Sequence, residues 1–181
     1  MLFAIVYLGF VPRIALESSD SGQNRIDKIR ELVRQSQYSV HDLSRLKAKR
    51  VGEFYRMNMP FELGLDRGCA TFGPGRLKTK KSLILERRRY DFQKALSDLS
   101  GVDIKAHSNK PVEIIRVLRA WFIETVGVRS AASATRIWYD FNDFAGDFYQ
   151  ARKSEGYKAA DLNFMPVVEY ITFVSQWVDS K

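Results

Sequence analysis

The chain has 181 residues, a length that suits one domain with a sizeable core. Apolar residues make up 45% of it and aromatic residues 13%, which excludes an intrinsically disordered protein. The formal net charge is +8, and much of the excess lies in three runs. Such runs indicate either solvated loops or a basic face for phosphate-bearing ligands or nucleic acid. The runs are Lys47, Lys49 and Arg50; Arg76, Lys78, Lys80 and Lys81; and Arg87 to Arg89.

The single cysteine, Cys69, allows no disulfide within the chain and suits a reducing cytoplasm. One cysteine and two histidines offer no convincing transition-metal site. We also expect no other cofactor. The apolar start MLFAIVYLGFV lacks a basic segment before it and is too short to span a bilayer. We interpret it as core, either helical or extended, and expect a cytoplasmic protein without a membrane partner.

The first elements in chain order are a helix, a strand and a loop. RIDKIRELVRQ, at 25–35, places its apolar residues on one helical face, and Asp20 and Ser21 upstream are cap candidates. YSVHDL, at 38–43, is short and β-prone. The polar, basic stretch 44–56 then predicts a loop.

The next elements alternate in the same way. NMPFELGLDRGC, at 58–69, predicts a helix with Pro60 at its first position. SLILE, at 82–86, is typical of a buried parallel strand. RYDFQKALSDLSG, at 89–101, predicts a helix that its final glycine closes. DIKAH, at 103–107, predicts a short strand or an extended loop.

From Pro111 onward the pattern is only helical. Three apolar stripes recur at steps of three and four residues, and they indicate core packing rather than cofactor contacts. The stripes are Ile114, Ile115, Leu118 and Phe122; Ile137, Phe141, Phe144 and Phe148; and Val167, Ile171, Val174 and Val178.

Alternating helices and strands predict an α/β protein with a short parallel sheet and a Rossmann- or flavodoxin-like three-layer core. We expect one domain over 1–181, with the α/β core at 1–110 and a helical region, 111–181, packed on it. Only three or four strands are predicted. In such sheets ligands bind at the carboxyl ends of the strands, and Asp42, Ser44 and Glu86 fall near those ends.

Glu62 lies in the first turn of its predicted helix, where the helix dipole favours a carboxylate. There it can stabilise or attack a sugar carbon that becomes cationic as a base leaves. The alternative is a capping box with Met59 as the cap and Glu62 as the third helical residue. Gly64 and Gly68 permit close approach by a ligand or a strand, and Asp66 follows Glu62 by one turn.

Asp42 ends a strand and is followed by Ser44 and Arg45. The functional interpretation is that these residues contact hydroxyl and phosphate groups at the crevice. The alternative is a turn and a helix cap, for which Asp-x-Ser is equally suited.

Two further pairs of residues carry weaker signals. Arg13 and Arg25 flank the loop from Asp20 to Gln23 and are candidates to hold a phosphate, although isolated arginines are more often surface residues. His41 and His107 are candidate acids or bases, although spacing names no partner for either.

Nucleic-acid binding finds less support in the sequence than its charge suggests. The aromatic residues fall on helical core stripes and are not interleaved with the basic runs as a stacking surface requires. The chain has no zinc-finger or RNP pattern, no Walker loop and no dinucleotide fingerprint.

Five segments occur here in one order, and together they resemble an uncharacterised bacterial family. That family is similar to the nucleoside 2-deoxyribosyltransferase and TIR-like superfamily, and the resemblance covers about residues 9 to 125. The link to the superfamily rests on Glu62 and Gly64 in a helix after a strand that ends in Asp42. The segments are GFVPRIALE, DSGQNRIDKI, YSVHDLSR, NMPFELGLDRGC and SDLSGVDIKAH.

The resemblance implies cleavage or transfer at the N-glycosidic bond of a nucleoside, a nucleotide or NAD, with a role in defence for some relatives. It implies that Glu62 is the nucleophile or charge-stabilising carboxylate, and that Asp42 helps to hold the ribose. Candidate ligand-binding residues beside these two catalytic ones are Arg13, Asp20, Gln23, Ser44, Arg45, Asn58 and Asp66.

One departure from the family pattern concerns the start of the chain. MLFAIVYLGF resembles the first helix of that family and VPRIALE the strand after it, so a first strand would be missing. We then expect an unfilled sheet position that leaves the site incomplete or covered by a second subunit, as in a homodimer. The alternative functions are a nucleotide-binding or regulatory protein without catalysis, and a basic nucleic-acid-associated protein.

Overall fold

The computed structural model describes residues 1–46, 48, 50–51 and 57–181, so Lys47, Lys49 and much of the predicted 44–56 loop lie outside the described residues. Its helices are α1 Leu2–Tyr7, α2 Arg25–Gln35, α3 Asn58–Phe72, α4 Pro111–Trp121, α5 Ala134–Ser154, α6 Ala159–Asn163 and α7 Val167–Asp179. Its strands are β1 Tyr38–Asp42, β2 Lys81–Glu86 and β3 Lys105–Ala106.

The chain divides into two compact units. Residues 22–113 form an α/β unit, and residues 1–21 with 114–181 form a helical unit. This division differs from the predicted boundary at residue 110, because the first 21 residues pack with the C-terminal helices.

The α/β unit contains a three-stranded parallel sheet in the order β1-β2-β3. The prediction of an α/β fold with a short parallel sheet is therefore confirmed. The order of the strands in the sheet is the same as their order in the chain. Strand β1 pairs with β2 over its whole length, from the pair Tyr38 and Lys81 to the pair Asp42 and Leu85. These two strands are direct neighbours in the sheet, and the missing first strand with its unfilled position stays a prediction.

Strand β1 presents two chemically different faces. Ser39 and His41 point toward α3, where both contact Asp66. Because side chains alternate along a strand, Val40 and Asp42 leave from the opposite face.

A buried carboxylate fixes α3 on the sheet. The Asp66 side chain is fully buried, and its Oδ2 accepts hydrogen bonds from the hydroxyls of Ser39 at 2.6 Å and Ser82 at 2.7 Å. His41 Nε2 lies 3.4 Å from the same oxygen, and the Lys80 ammonium lies 3.1 Å from Oδ1. Burial alone would raise the pKa of this carboxyl, but the three hydrogen bonds and the ammonium charge hold it well below its usual range.

Lys80 extends the same network to the end of α2. Its side chain is 1% exposed, and its ammonium donates to the carbonyl oxygens of Val33, at 2.7 Å, and Ser36. One residue of the second basic run is therefore a structural cation inside the protein. The network joins α2, α3, β1 and β2 through charged and polar groups that are buried or partly buried.

Two predicted helix starts are corrected by the structure. Helix α2 spans 25–35 as predicted, but its cap is Asn24, whose side chain accepts from the Ile26 N–H at 3.0 Å, rather than Asp20 or Ser21. Helix α3 begins at Asn58 with Met57 as its N-cap. Pro60 is therefore its third residue and Glu62 its fifth. The capping-box interpretation of Glu62 is wrong, because that role belongs to the third helical residue. Glu62 also lies beyond the first turn, where the helix dipole stabilises a carboxylate less.

Two other predicted elements take a different form. Residues 89–101 form two 3₁₀ turns, Phe92–Lys94 and Ser97–Leu99, instead of a helix. Phe92 is 1% exposed, so packing of this side chain overrides the helical pattern of its neighbours. The predicted strand VPRIALE contains a 3₁₀ turn at Ala15–Glu17 and joins no sheet in the part of the chain that is described.

The helical unit has an aromatic centre. Phe3 of α1 packs against Phe144 of α5, at 5.4 Å between ring centroids, and against Trp177 of α7, at 5.9 Å. Ile137, Phe144 and Val174 are almost fully buried, which confirms the predicted core stripes.

Asp140 is the buried acid of this unit. It accepts hydrogen bonds from the Tyr7 hydroxyl at 2.7 Å and from Arg136 Nε at 2.9 Å. Burial acts to raise the pKa of Asp140, but these two donors and the charge of Arg136 lower it overall.

Two glycine substitutions test how backbone conformation affects the stability of the fold. Gly64 lies within α3 with no described atom within 4 Å of an added Cβ, whereas Gly127 has φ +97° at the end of a helical turn. Gly64→Ala should raise the free energy of unfolding by about 0.5–1 kcal/mol, because alanine favours the helix. Gly127→Ala should lower it by about 1–2 kcal/mol, because a Cβ disfavours this backbone conformation. Urea unfolding followed by tryptophan fluorescence measures both, and equal signs would contradict the account.

The Asp66 network predicts a pH-dependent loss of stability. Because the pKa of Asp66 is lower in the folded chain, its contribution is complete above about pH 4, the unfolded pKa, and declines as pH falls toward the folded pKa. Asp66→Asn leaves the Lys80 ammonium buried without its counter-ion and should cost about 3–5 kcal/mol at pH 7.

Urea titrations from pH 7 to pH 2 should show the stability gap between wild type and Asp66→Asn narrowing below about pH 4. A gap that stays constant over this range would show that the Asp66 carboxylate charge does not stabilise the fold.

Candidate carboxylate site at the end of the sheet

The loops after the three strands emerge at one edge of the sheet, because all three strands are parallel. Asp42 ends β1, Glu86 ends β2 and His107 directly follows β3. His107 N–H donates to the Glu86 carbonyl at 3.0 Å, and Ser108 N–H donates to the Arg87 carbonyl at 3.0 Å, so backbone contacts hold the second and third loops side by side.

Asp42 folds its own loop. Its Oδ1 accepts from the Ser44 backbone N–H at 2.9 Å and also from the Ser44 hydroxyl. This is the turn geometry that Asp-x-Ser favours, so the turn interpretation of these residues is confirmed. The turn also fixes the position of the carboxylate at the edge of the sheet.

His107 joins this pair from β3. Its Nε2 lies 2.9 Å from the Ser44 hydroxyl and 3.5 Å from Asp42 Oδ1, and its side chain is 2% exposed. Its Nδ1 accepts the Asn109 backbone N–H at 3.1 Å. In the neutral ring this pattern places the proton on Nε2, which then donates toward Ser44.

The tautomer limits the chemistry of Ser44. A serine nucleophile needs a base nitrogen that accepts its proton. Here the Nε2 of His107 is a donor, and the Ser44 hydroxyl donates to Asp42. The three residues therefore orient a carboxylate rather than activate a serine.

The second oxygen of Asp42 is the chemically available one. Among the described residues, every hydrogen bond and ion pair of the carboxylate is to Oδ1, and no hydrogen bond engages Oδ2. The side chain is 33% exposed. A carboxylate with one oxygen fixed and the other open can accept hydrogen bonds from sugar hydroxyls or face a developing positive charge.

The loop after β2 is built around Glu86. This buried side chain accepts the Tyr90 N–H at 2.6 Å and the Phe92 N–H at 3.3 Å, so its role here is structural. Tyr90 has φ 67°, and Ser108 and Asn109 in the next loop have φ 52° and 57°. Non-glycine residues in this conformation are strained and concentrate at functional sites.

Tyr90 also lines a small cavity beside this loop. The cavity measures about 240 Å³ and includes Arg89, Gly101 and Asp103 in its wall. Arg89 lies 5.9 Å from the centre of the Tyr90 ring. An aromatic ring and a guanidinium therefore lie near the end of β2.

Glu62 lies on another element, in the N-terminal part of α3. It is 17% exposed on its side chain and forms an ion pair of 3.5 Å with Arg25 at the start of α2. Helix α3 must run back along the sheet, because it leads from the end of β1 to the start of β2. Glu62 precedes Asp66 by one turn, roughly 6 Å, and is therefore displaced toward the carboxyl edge.

The two predicted catalytic carboxylates approach this edge from opposite faces. Asp66 of α3 contacts Ser39 and His41, whereas Asp42 leaves β1 from the other face and contacts His107. A ligand would contact both Asp42 and Glu62 only by lying across the end of β1.

The predicted ligand-binding residues are divided between the two units and differ in their exposure. Gln23, Arg45 and Asn58 of the α/β unit are exposed, whereas Asp66 is fully buried in the network described above and closed to a ligand. Arg13 and Asp20 belong to the helical unit. Arg13 forms an ion pair with Glu17 at 2.7 Å, and Asp20 N–H donates to the Ser18 hydroxyl at 3.4 Å.

The role of His107 was missed in the sequence. Its signal was its position directly after a strand, the same position that drew attention to Asp42. Spacing could not join two residues that are 65 positions apart in the chain and meet through the sheet register.

Comparison with models of protein families, with curated proteins and with solved structures gives no match. The resemblance to the deoxyribosyltransferase and TIR-like superfamily therefore stays a hypothesis. Within the described residues no group of histidine, cysteine and acidic side chains is arranged to hold a metal ion, and no helix has the length and apolarity to cross a membrane.

Proposed function

We propose that the chain binds a nucleoside or nucleotide at the carboxyl edge of its sheet and cleaves or transfers its N-glycosidic bond. The observation that carries the proposal is the Asp42 carboxylate. Ser44 fixes its Oδ1, whereas no hydrogen bond from a described residue engages its Oδ2. Ligands of parallel α/β sheets bind at this edge. The resemblance to the deoxyribosyltransferase and TIR-like superfamily supplies the reaction class.

In this reaction the bond between the sugar carbon and the base breaks, and its electron pair leaves with the base. Asp42 Oδ2 accepts hydrogen bonds from ribose hydroxyls, while Ser44 and His107 keep the carboxylate oriented. Glu62 attacks or stabilises the cationic sugar carbon. Water or an acceptor base then completes hydrolysis or transfer.

The proposal also includes a fold class, a candidate substrate, a cellular location and an assembly. We assign the α/β unit to the Rossmann- or flavodoxin-like class because its parallel strands follow sequentially with α3 as a crossover. NAD is a candidate substrate, since Arg89 and Tyr90 offer groups that suit phosphate and base. The proposed setting is cytoplasmic, and a homodimer is the proposed assembly if a second subunit covers the site.

A second candidate is a protein that binds the same ligand without turnover. Two observations favour it. Asp42 and the helix that carries Glu62 lie on opposite faces of the sheet, and Glu62 already forms an ion pair with Arg25. Binding with no released base would support this candidate.

The nucleic-acid alternative gains little from the structure. The second basic run ends at Lys81, the first residue of β2, and the third run follows its last residue, so the two runs lie at opposite ends of a six-residue strand. Lys80 of the second run is buried. They therefore do not form one continuous basic face.

Released base measures the proposed activity. Wild type, Asp42→Asn and Glu62→Gln should be incubated with NAD and a panel of nucleosides, with Asp143→Asn on the exposed part of α5 as the matched control. Both site variants should lose about 10²-fold or more in kcat/KM, because each removes a carboxylate charge near the sugar, while the control keeps wild-type activity.

Release that persists in Glu62→Gln would remove Glu62 from the mechanism. If wild type releases no base from any substrate, the catalytic proposal is wrong.

A further inference from the structure

The outer side of α3 is an apolar face that nothing in the described structure covers. Positions 61, 65, 68 and 72 recur at steps of four, three and four residues and so share one side of the helix. Phe61 is 57% exposed and Phe72 is 87% exposed. They lie roughly 16 Å apart along the helix axis. We call this side, with Phe61, Gly64, Leu65, Gly68 and Phe72, the α3 outer face.

The middle of the α3 outer face is a groove. It measures about 550 Å³ and lies between α2 and α3, with Val33 of α2 and Cys69 of α3 in its wall. Gly64 and Gly68 form its floor, and no described atom lies within 4 Å of a Cβ built on either glycine. The glycines therefore do not serve close packing against the sheet, which was one interpretation of their spacing.

The glycines lower helix stability without a structural gain that the described residues show. Glycine in a helix interior costs about 0.5–1 kcal/mol relative to alanine. They leave a floor without side chains, which would let the backbone of another helix lie close while its side chains fill the groove.

The wall formed by α2 is positively charged. Arg30 and Arg34 line the groove, and no carboxylate is among the groove-lining residues that are described. Arg76 adds a third guanidinium at the end of α2, where it donates to the Arg34 carbonyl at 3.3 Å. Arg30 is partly neutralised by Asp27, at 3.1 Å.

We propose that the α3 outer face is the docking site for an acidic amphipathic helix of a partner protein. Apolar side chains at steps of three and four residues would lie between Phe61 and Phe72 and enter the groove over the glycines. Acidic residues flanking that stripe would face Arg30 and Arg34. A second copy of the same face is disfavoured, because it would bring like-charged arginines together.

Two synthetic helical peptides test the proposal. Each has roughly 14 residues, about four turns, with leucines at steps of three and four. One carries glutamates beside the leucines, and the other carries lysines at the same positions. Binding to the full chain is followed by fluorescence anisotropy of a labelled peptide.

The glutamate peptide should bind wild type, and more weakly as salt is raised from about 50 to 200 mM. The lysine peptide should not bind. Gly68→Leu, which fills the floor, and Arg34→Glu, which reverses the charge of the wall, should each weaken binding at least tenfold.

Matched variants on α5 control for general effects. Gly146→Leu places leucine at another helical glycine with open space around it, and Lys153→Glu reverses another exposed helical cation. Both should bind the glutamate peptide like wild type.

The proposal is overturned if wild type binds neither peptide, if it binds both equally, or if Gly68→Leu and Arg34→Glu bind like their controls. Sedimentation of the chain without peptide measures whether a second copy of the chain occupies the α3 outer face instead. Self-association of wild type that Gly68→Leu abolishes would show that a second copy fills the face, and would also overturn the proposal.

Discussion

The arrangement of the α/β unit depends on one buried carboxylate. Asp66 brings a charge from α3 to the sheet, and there it meets two strand hydroxyls, a histidine and the Lys80 ammonium. Such a group is costly to bury unless it is fully paired, so the network tolerates one orientation of the helix far better than any other. That orientation places Glu62 toward the carboxyl edge and leaves the opposite side of α3 exposed.

The same strand that is fixed by Asp66 on one face positions the candidate site on the other. Alternation along β1 sends His41 toward the network and Asp42 toward His107. The hydrogen bonds of His107 orient Asp42 and leave Ser44 without a base. The best-defined candidate carboxylate is therefore Asp42 at the edge of the sheet, rather than Glu62, which the family resemblance implied as the nucleophile or charge-stabilising carboxylate.

Sequence patterns predicted the elements whose apolar spacing is regular, such as α2 and the C-terminal stripes, and they placed Asp42 at a strand end. They failed where a tertiary contact decides the backbone. Residues 89–101 read as a helix, but Glu86 holds the Tyr90 and Phe92 N–H groups and the Phe92 side chain is buried. The partnership of Asp42 with His107 depends on strand register, and the burial of Asp66 depends on Lys80, which no local spacing reveals.

The proposed ligand lies across the end of β1, between Asp42 and the start of α3. The most direct measurement is a ¹H–¹⁵N spectrum of the full chain titrated with NAD and, separately, with the nucleoside panel. If a ligand binds there, the amide signals of Ser44, Glu62, Ser108 and Asn109 should shift together with a common affinity. Shifts that leave Ser44 and Asn109 unchanged and fall instead on the helical unit, or on Gly64 and Gly68, would contradict it.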